Sequence, residues 1–489
     1  MSESERPIHV VGGGIAGLVA AITAAEGGAP VVLHEAGGRL GGRAVGSAER
    51  PWVNLGPHVV FTDGALVRWL RQQRIDVSMR GPMVRGLRML DDRGTQFPIR
   101  QAVQLLPTVL RREAPVDETF GAWAGNAFGE ATADLLCRLG GLITYHHDPG
   151  ALSARFMWER YRRSFLSADR VRWISGGWLS LVDALAARAR TLGVHIELDD
   201  RVMPQTLPDA PTVIATKLSA AARVLDRGLS WPGARTALLD VATTSDRGWP
   251  AVIADVRSDL ATCCMIERET AVDPDALGGK GGHLIQAQLG VAPDVGVAEG
   301  VARIEDGLDV GFPGWRDAIG WRRAQIVVDA TGAVDPPGTT WRDRPSVVQG
   351  DDLFLAGDAV AAPGFLSEVS VNSAVDAARR ALNARRGRAF APGWPTVELT
   401  PERRLAVLAA VLPAASLNTT TAASADDVEP VDETGPGYRV EQRAGVTTAT
   451  SITADDGGVR ITRLASSRLP GIARAAVERL PVWRRPFRR

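Results

Sequence analysis

Lysine is almost missing from this 489-residue chain: Lys217 and Lys280 are the only two among 56 basic residues. Acidic residues also number 56, so the formal net charge is zero and whole-molecule steering towards nucleic acid is not expected. With alanine abundant, the excess of arginine reads as compositional bias, not as a phosphate-binding signal. Cysteine is nearly absent too. Cys137, Cys263 and Cys264 form no CxxC pair and have no histidine at a metal-ligand spacing, and the adjacent His146 and His147 do not share one helix face. The thiols are therefore expected to be reduced and mostly buried, and no metal site is expected. There is no run of about 18 apolar residues, and residues 1–6 lack the apolar region of a signal peptide. A cytoplasmic location is the expectation.

What the chain does have is glycine in informative places. A short apolar strand, His9-Val10-Val11, runs into Gly12-Gly13-Gly14-Ile15-Ala16-Gly17 and then a small-residue helix to about Gly27. This GxGxxG spacing reads as a dinucleotide-binding turn: Gly12 for the tight turn, Gly14 for backbone approach to a pyrophosphate, Gly17 for close helix packing. The helix N-terminus would face the phosphates. A second buried strand then ends in Glu35, 18 residues beyond Gly17, where a carboxylate can accept both hydroxyls of an adenosine ribose. Ala36 follows it in the same loop.

Arg39-Leu40-Gly41-Gly42-Arg43 comes next, and with it the chain resembles the flavoprotein superfamily of amine oxidases, protoporphyrinogen oxidases and phytoene-type desaturases, in which RxGGR follows the ribose-binding acid. The resemblance implies FAD as cofactor. It implies that Arg39, Gly41 and Gly42 lie along it, and that Arg43 neutralises the pyrophosphate or supports the flavin. Asn54-Leu55-Gly56-Pro57-His58 is similar to the loop that lies against the isoalloxazine ring, which places Gly56, Pro57 and His58 at the cofactor. Gly176-Gly177-Trp178 and the strand Gly193–Leu198 are similar to the helix and strand that return to the cofactor domain, with the backbone of Val202 at adenine. Leu353–Asp358 and Gly364–Val369 resemble the last cofactor segment. There Gly357 and Asp358 would meet the ribityl and pyrophosphate region, and Glu368 and Val369 would precede a helix from Ser370 that aims its amides at the flavin. Many relatives have Glu-Gly-Ala where this chain has Glu368-Val369-Ser370.

These positions imply an α/β chain: a discontinuous Rossmann-type FAD-binding domain (1–80, 171–230, 325–388), an inserted α+β substrate domain (81–170, 231–324) and a small C-terminal extension (389–489). A hairpin is expected over Leu87–Ile99, strands over Ala251–Val256 and His283–Gln288, a helix after Thr400, a loop over 415–437 and two strands over Tyr438–Thr462. Basic and aromatic residues near the C-terminus suggest a peripheral membrane contact. The implied activity is an FAD-dependent oxidoreductase, desaturase- or dehydrogenase-like, that removes hydrogen from a C–C or C–N bond of an apolar small molecule, with oxygen or a quinone as electron acceptor. His58 is the candidate proton-transfer residue. A flavin amine oxidase, a non-redox isomerase and an FAD-holding scaffold are the alternatives.

Overall fold

A computed structural model describes residues 6–44, 53–55, 59–81, 87–94, 96–98, 113–166, 170–245, 247–260, 262–271, 273–277 and 281–387, and four strands beyond residue 415. Two units arise, Met1–Phe390 and Ala391–Arg489.

At the centre of the first unit is a five-stranded parallel sheet in the order Leu353–Leu355, Thr212–Ile214, Ile8–Val11, Val31–His34, His195–Glu197. Parallel neighbours need crossover connections, and the helix Ile15–Glu26 supplies the first of these between Ile8–Val11 and Val31–His34. The strands are short and β-branched, and burial on both faces leaves Ile8, Val10, Leu33, Val213 and Ile214 fully inside. Alanines let the helices approach closely. Ala374, Ala377, Ala378 and Ala381 on the helix Ser367–Arg385 are buried in the same core as Leu18 and Ile22 of Ile15–Glu26. At Gly17 a β-carbon would collide with the Gly12 carbonyl oxygen, so the first helix can sit on its strand only because the side chain is absent.

A seven-stranded sheet follows the order Ile319–Ala333, Gly233–Thr243, Leu284–Gly290, Cys264–Arg268, Val252–Asp255, Leu87–Leu90, Gln96–Pro98. All its pairs are antiparallel except Val252–Asp255 with Leu87–Leu90. The hairpin expected over Leu87–Ile99 and the strands expected near residues 251 and 283 are thus all in one sheet. Strand Ile319–Ala333 runs through the domain boundary expected at 325 and pairs with Gly233–Thr243 on both sides of it. One face of this sheet is apolar: Ala237, Leu239, Val241, Ile285, Leu289 and Ile266 pack with Ile304 and Leu308 of the helix Val297–Gly311.

Helices Phe120–Phe128, Glu130–Leu139 and Ala154–Leu166 form a third core around Phe120, Trp123, Trp158 and Tyr161. Phe120 stacks on Tyr161 at 5.5 Å between ring centroids, and Trp123 meets Trp158 edge-on at 4.9 Å. Cys263 and Cys264 are buried and Cys137 is half-buried; all three are free. Burial pushes the Cys137 thiol up to about 11.

The second unit is an antiparallel sheet ordered Ser416–Thr421, Gly458–Ser466, Val446–Asp455, Gly437–Arg443. The segment 415–437 was expected to be a loop, yet Ser416–Thr421 is a strand paired with Gly458–Ser466, in keeping with its run of β-branched threonines. Residues 438–462 were expected to hold two strands, and three strands draw on that stretch. The helix expected after Thr400 and the basic C-terminus lie outside the described residues. No helix among the described residues is long and apolar enough to cross a membrane.

Gly17→Ala is expected to lower the unfolding free energy by about 1–3 kcal/mol, read as a lower urea midpoint, the usual cost of forcing an extra methyl into a packed contact. An unchanged midpoint would mean that the helix can move away from its strand freely.

Candidate functional site

The strand Ile8–Val11 ends at Gly12, whose φ of 107° lies in the region open to glycine. A side chain here would also press on the Ala215 carbonyl of the neighbouring strand loop. Gly14 is different: its nearest neighbour to an added β-carbon is the Gly41 carbonyl, 3.9 Å away, so it borders open space. That space is a cleft of about 410 Å³, bordered by Gly12, Gly14, Glu35, Arg43, Lys217 and Asp358 among others.

Glu35 ties the two edges of the cleft together. Its Oε2 accepts from the Gly13 amide and its Oε1 from the Gly37 amide, each at 2.8 Å. The Arg39–Arg43 segment joins the same turn through its backbone, with Gly41 N donating to Gly13 O at 2.8 Å. Gly41 and Gly42 both have positive φ, as this close passage needs. Arg39 and Ala36 are exposed and are not part of the cleft wall described here.

Arg43 does not face the cleft as a free cation. Its guanidinium donates to Asp358 Oδ1 at 2.6 Å and to the carbonyl of Asp329. The Asp358 carboxylate raises the Arg43 pKa above its ordinary value. Burial raises the Asp329 carboxyl, a trend opposed by Arg43, and the residue has a left-handed φ of 59°. Two sequence-identified residues, Arg43 and Asp358, thus form one ion pair across 315 positions of chain. The other cation on the cleft is Lys217, exposed at the start of the helix Leu218–Leu225. Among the described residues no ion pair holds it, so its charge is available to an anion. The sequence marks this lysine only by its rarity; its place three residues after the strand Thr212–Ile214 was the available signal for a cleft role.

Gly357 and Asp358 border the cleft as expected. Glu368 and Val369 do not, and the reason is local. The helix begins at Ser367, three residues earlier than the sequence suggested, so their amides bond back to Phe365 and Leu366 at 3.1 and 3.2 Å. Val369 is buried, and Glu368 accepts from the Phe365 amide and from Arg163. Leu366, Ser367 and Ser370 border the cleft instead. Val202, expected at adenine, is a core residue off the cleft wall. Gly56, Pro57 and His58 lie outside the described residues, so the candidate proton-transfer residue has no described geometry.

Arg163 links this loop to Asp63, donating to both of its carboxylate oxygens, and Arg170 adds a third contact. These bonds, that from Arg163 above all, hold the Asp63 carboxyl down at about 2.

The cleft fits an adenine dinucleotide. A glycine floor opens onto it, a carboxylate is fixed between two amides where a ribose would be gripped, and a cation stands at its wall. Residues 7–126 match the family model described as FAD dependent oxidoreductase. No curated protein matches the chain. Among solved structures, an oxidoreductase from Methanosarcina mazei is similar over 76% of this chain and 99% of its own, with 16% identity and a TM-score of 0.62. Cyclohexylamine oxidase from Brevibacterium oxydans is similar over 78% and 99%, with 16% identity and a TM-score of 0.59. A putrescine oxidase variant with a redesigned cofactor site gives 78%, 99%, 14% and 0.56 respectively. At these identities the likeness concerns the fold.

Two measurements check this site. Glu35→Gln is expected to weaken FAD binding to the apoprotein about 10-fold or more, as for loss of a hydrogen bond to a charged group; equilibrium dialysis reads it, and unchanged affinity would remove Glu35 from the site. For Asp63, the folded pKa lies below the unfolded value of about 3.9. The stability it adds is therefore complete above that value and lost as pH falls through about 2. Asp63→Asn should flatten the acid limb of the stability curve in that window.

Proposed function

We propose that the chain is an FAD-dependent oxidoreductase, a reading supported by the match of residues 7–126 to that family's model, and that it removes hydrogen from a C–N or C–C bond next to a hydrogen-bonding group of its substrate. A largely apolar substrate, the expectation from sequence, suits the site less well than one that carries a hydrogen-bonding group. The observation behind this reading is the second face of the seven-stranded sheet. Alternation that turns Ala237, Leu239 and Val241 to the apolar core turns Thr236, Leu238 and Asp240 to the other side. Register adds Gln286, Gln288, Glu267 and Arg323 to that side.

This polar face abuts the cleft through Asn54, the neighbour of cleft-lining Leu55. Asn54 Nδ2 donates to Gln286 Oε1 at 3.3 Å, and its Oδ1 accepts from the amide of cleft-lining Trp178 at 3.1 Å. Gln286 in turn donates to Asp240 at 2.7 Å, and Arg323 pairs with Asp240 at the same distance. Burial raises the Asp240 carboxyl, against the pull of Arg323. Thr236 Oγ1 and Gln288 Oε1 are buried without a hydrogen-bond partner among the described residues. Buried polar groups left open cost stability unless something else satisfies them. Neither atom reaches the cleft, so the polar face bears on a substrate through Asn54 and the Asp240 network behind it.

FAD, when bound, supplies the two-electron acceptor for the hydrogen removed. The chain's own contribution is positional. Glu35 and the glycine turn grip the nucleotide, Lys217 meets its diphosphate, and Asn54, backed by the Gln286–Asp240–Arg323 network, positions the substrate. Oxygen or a quinone would take the electrons onward.

Anaerobic titration of the purified flavoprotein distinguishes the substrate classes. Small amines or amino-bearing substrates should bleach the oxidised-flavin absorbance, and bleaching by apolar polyenes alone would overturn the reading. Thr236→Val provides the structural test. It should raise stability by about 1 kcal/mol, since it deletes an unsatisfied buried hydroxyl, and leave kcat/KM for the bleaching substrate unchanged, since Thr236 does not border the cleft.

A further inference from the structure

His34 ends the second strand of the parallel sheet, and its register partner on the edge strand is Glu197. His9 shares that face, because it pairs with Val32, two residues before His34. His195 shares it with Glu197 for the same reason. Two of the seven histidines, His34 and His195, therefore meet carboxylates at one sheet edge, and His9 stands behind His34 on the next strand. His34 Nδ1 lies 2.5 Å from Asp200 Oδ2 and 3.3 Å from Glu197 Oε2. On the far side of the ring, His34 Nε2 is 2.8 Å from His9 Nδ1. His195 Nε2 stands 3.2 Å from the other Glu197 oxygen.

We propose that His34, Glu197 and Asp200 form a binding site for a divalent transition-metal ion of the zinc type, outside the cofactor cleft. One donor atom from each lies within 4.8 Å of the other two, so one ion can reach all three. Bonds of about 2.0–2.2 Å at tetrahedral angles put neighbouring ligand atoms about 3.3 Å apart. The His34–Glu197 spacing already has that value, and the His34–Asp200 contact has to open by about 0.8 Å to reach it.

The surroundings support a ligand role for His34. Its side chain is 10% exposed, and His9 Nδ1 is placed to accept a hydrogen bond from Nε2–H, so that an ion displacing the Nδ1 proton would meet a lone pair aimed at the carboxylates. A hydrogen bond on the remote ring nitrogen is how metal-bound histidines are oriented. The carboxylates, at 41% and 40% exposure, leave an entry path and room for water to complete the shell. One imidazole with two carboxylates suits zinc, cobalt or nickel better than copper(I), which prefers sulfur, or magnesium, which prefers oxygen alone.

The site also has a structural reach. Asp200 N donates to the carbonyl of Glu35 at 2.9 Å, and Glu35 follows His34 in sequence. An ion here would tie the edge strand to the loop that carries the ribose-gripping carboxylate.

The test uses the full-length, tag-free holoprotein, stripped with EDTA, equilibrated with zinc chloride and desalted, with metal content read by mass spectrometry and thermal midpoint followed with and without zinc. One zinc per chain is expected, with a higher midpoint in its presence. In Glu197→Gln/Asp200→Asn both effects should vanish while flavin content stays as in the parent; Asp200→Asn alone, a surface change, serves if the double variant folds poorly. Absence of stoichiometric zinc in the parent would overturn the proposal. So would zinc content unchanged in the variants, since the ion would then sit elsewhere.

Discussion

The carboxylate of Glu35, held between the amides of Gly13 and Gly37, is the constraint on which the cofactor cleft depends. It joins the turn after one strand to the loop after the next. The main-chain bond from Gly41 to Gly13 and the Arg43–Asp358 pair then extend the brace towards the last strand of the sheet. Each link is polar and partly shielded, so each is stronger than it would be in water. Glycines make this possible by letting three chain segments pass within hydrogen-bonding distance, and the collision that a side chain at Gly17 would cause shows how little slack remains.

The two sheets divide the work. The parallel sheet, apolar on both faces over most of its width, is a rigid mount for the nucleotide. The larger mixed sheet has unlike faces: one packs against Val297–Gly311 and is aliphatic, while the other carries the Asp240, Gln286 and Arg323 network. A face of buried amides and carboxylates contributes less to stability than an aliphatic one of the same area. Stability is sacrificed on one side of a single sheet, beside the cleft, and secured on the other.

What could be read in the sequence was whatever depends on local spacing. The glycine turn, Glu35, the RxGGR segment and the Gly357-Asp358 strand end are each encoded within a few residues, and each borders or braces the cleft. Features that depend on distant pairing were not legible. The Arg43–Asp358 bond spans 315 positions, and the helix start at Ser367 hinges on backbone bonds to Phe365 and Leu366 that no residue type announces. The strand Gly233–Thr243 was not read from the sequence, and which of its faces apolar partners would cover depends on that distant pairing. Likewise the absence of metal-ligand spacing along the chain says nothing about His34 and Asp200, which are 166 positions apart and become neighbours only when the edge strand docks.

The burial of the three thiols has a chemical consequence. Oxidation by peroxide proceeds through the thiolate, and a thiol pushed up to about 11 at Cys137, or enclosed as at Cys263 and Cys264, presents almost none at neutral pH. A flavoprotein that passes electrons to oxygen generates its oxidant beside its own chain. With oxygen as the acceptor, one of the two proposed, the first casualties would be thioethers such as Met203, 41% exposed, whose sulfoxide is reversible. Damage of that kind is superficial, and the core cysteines outlast it.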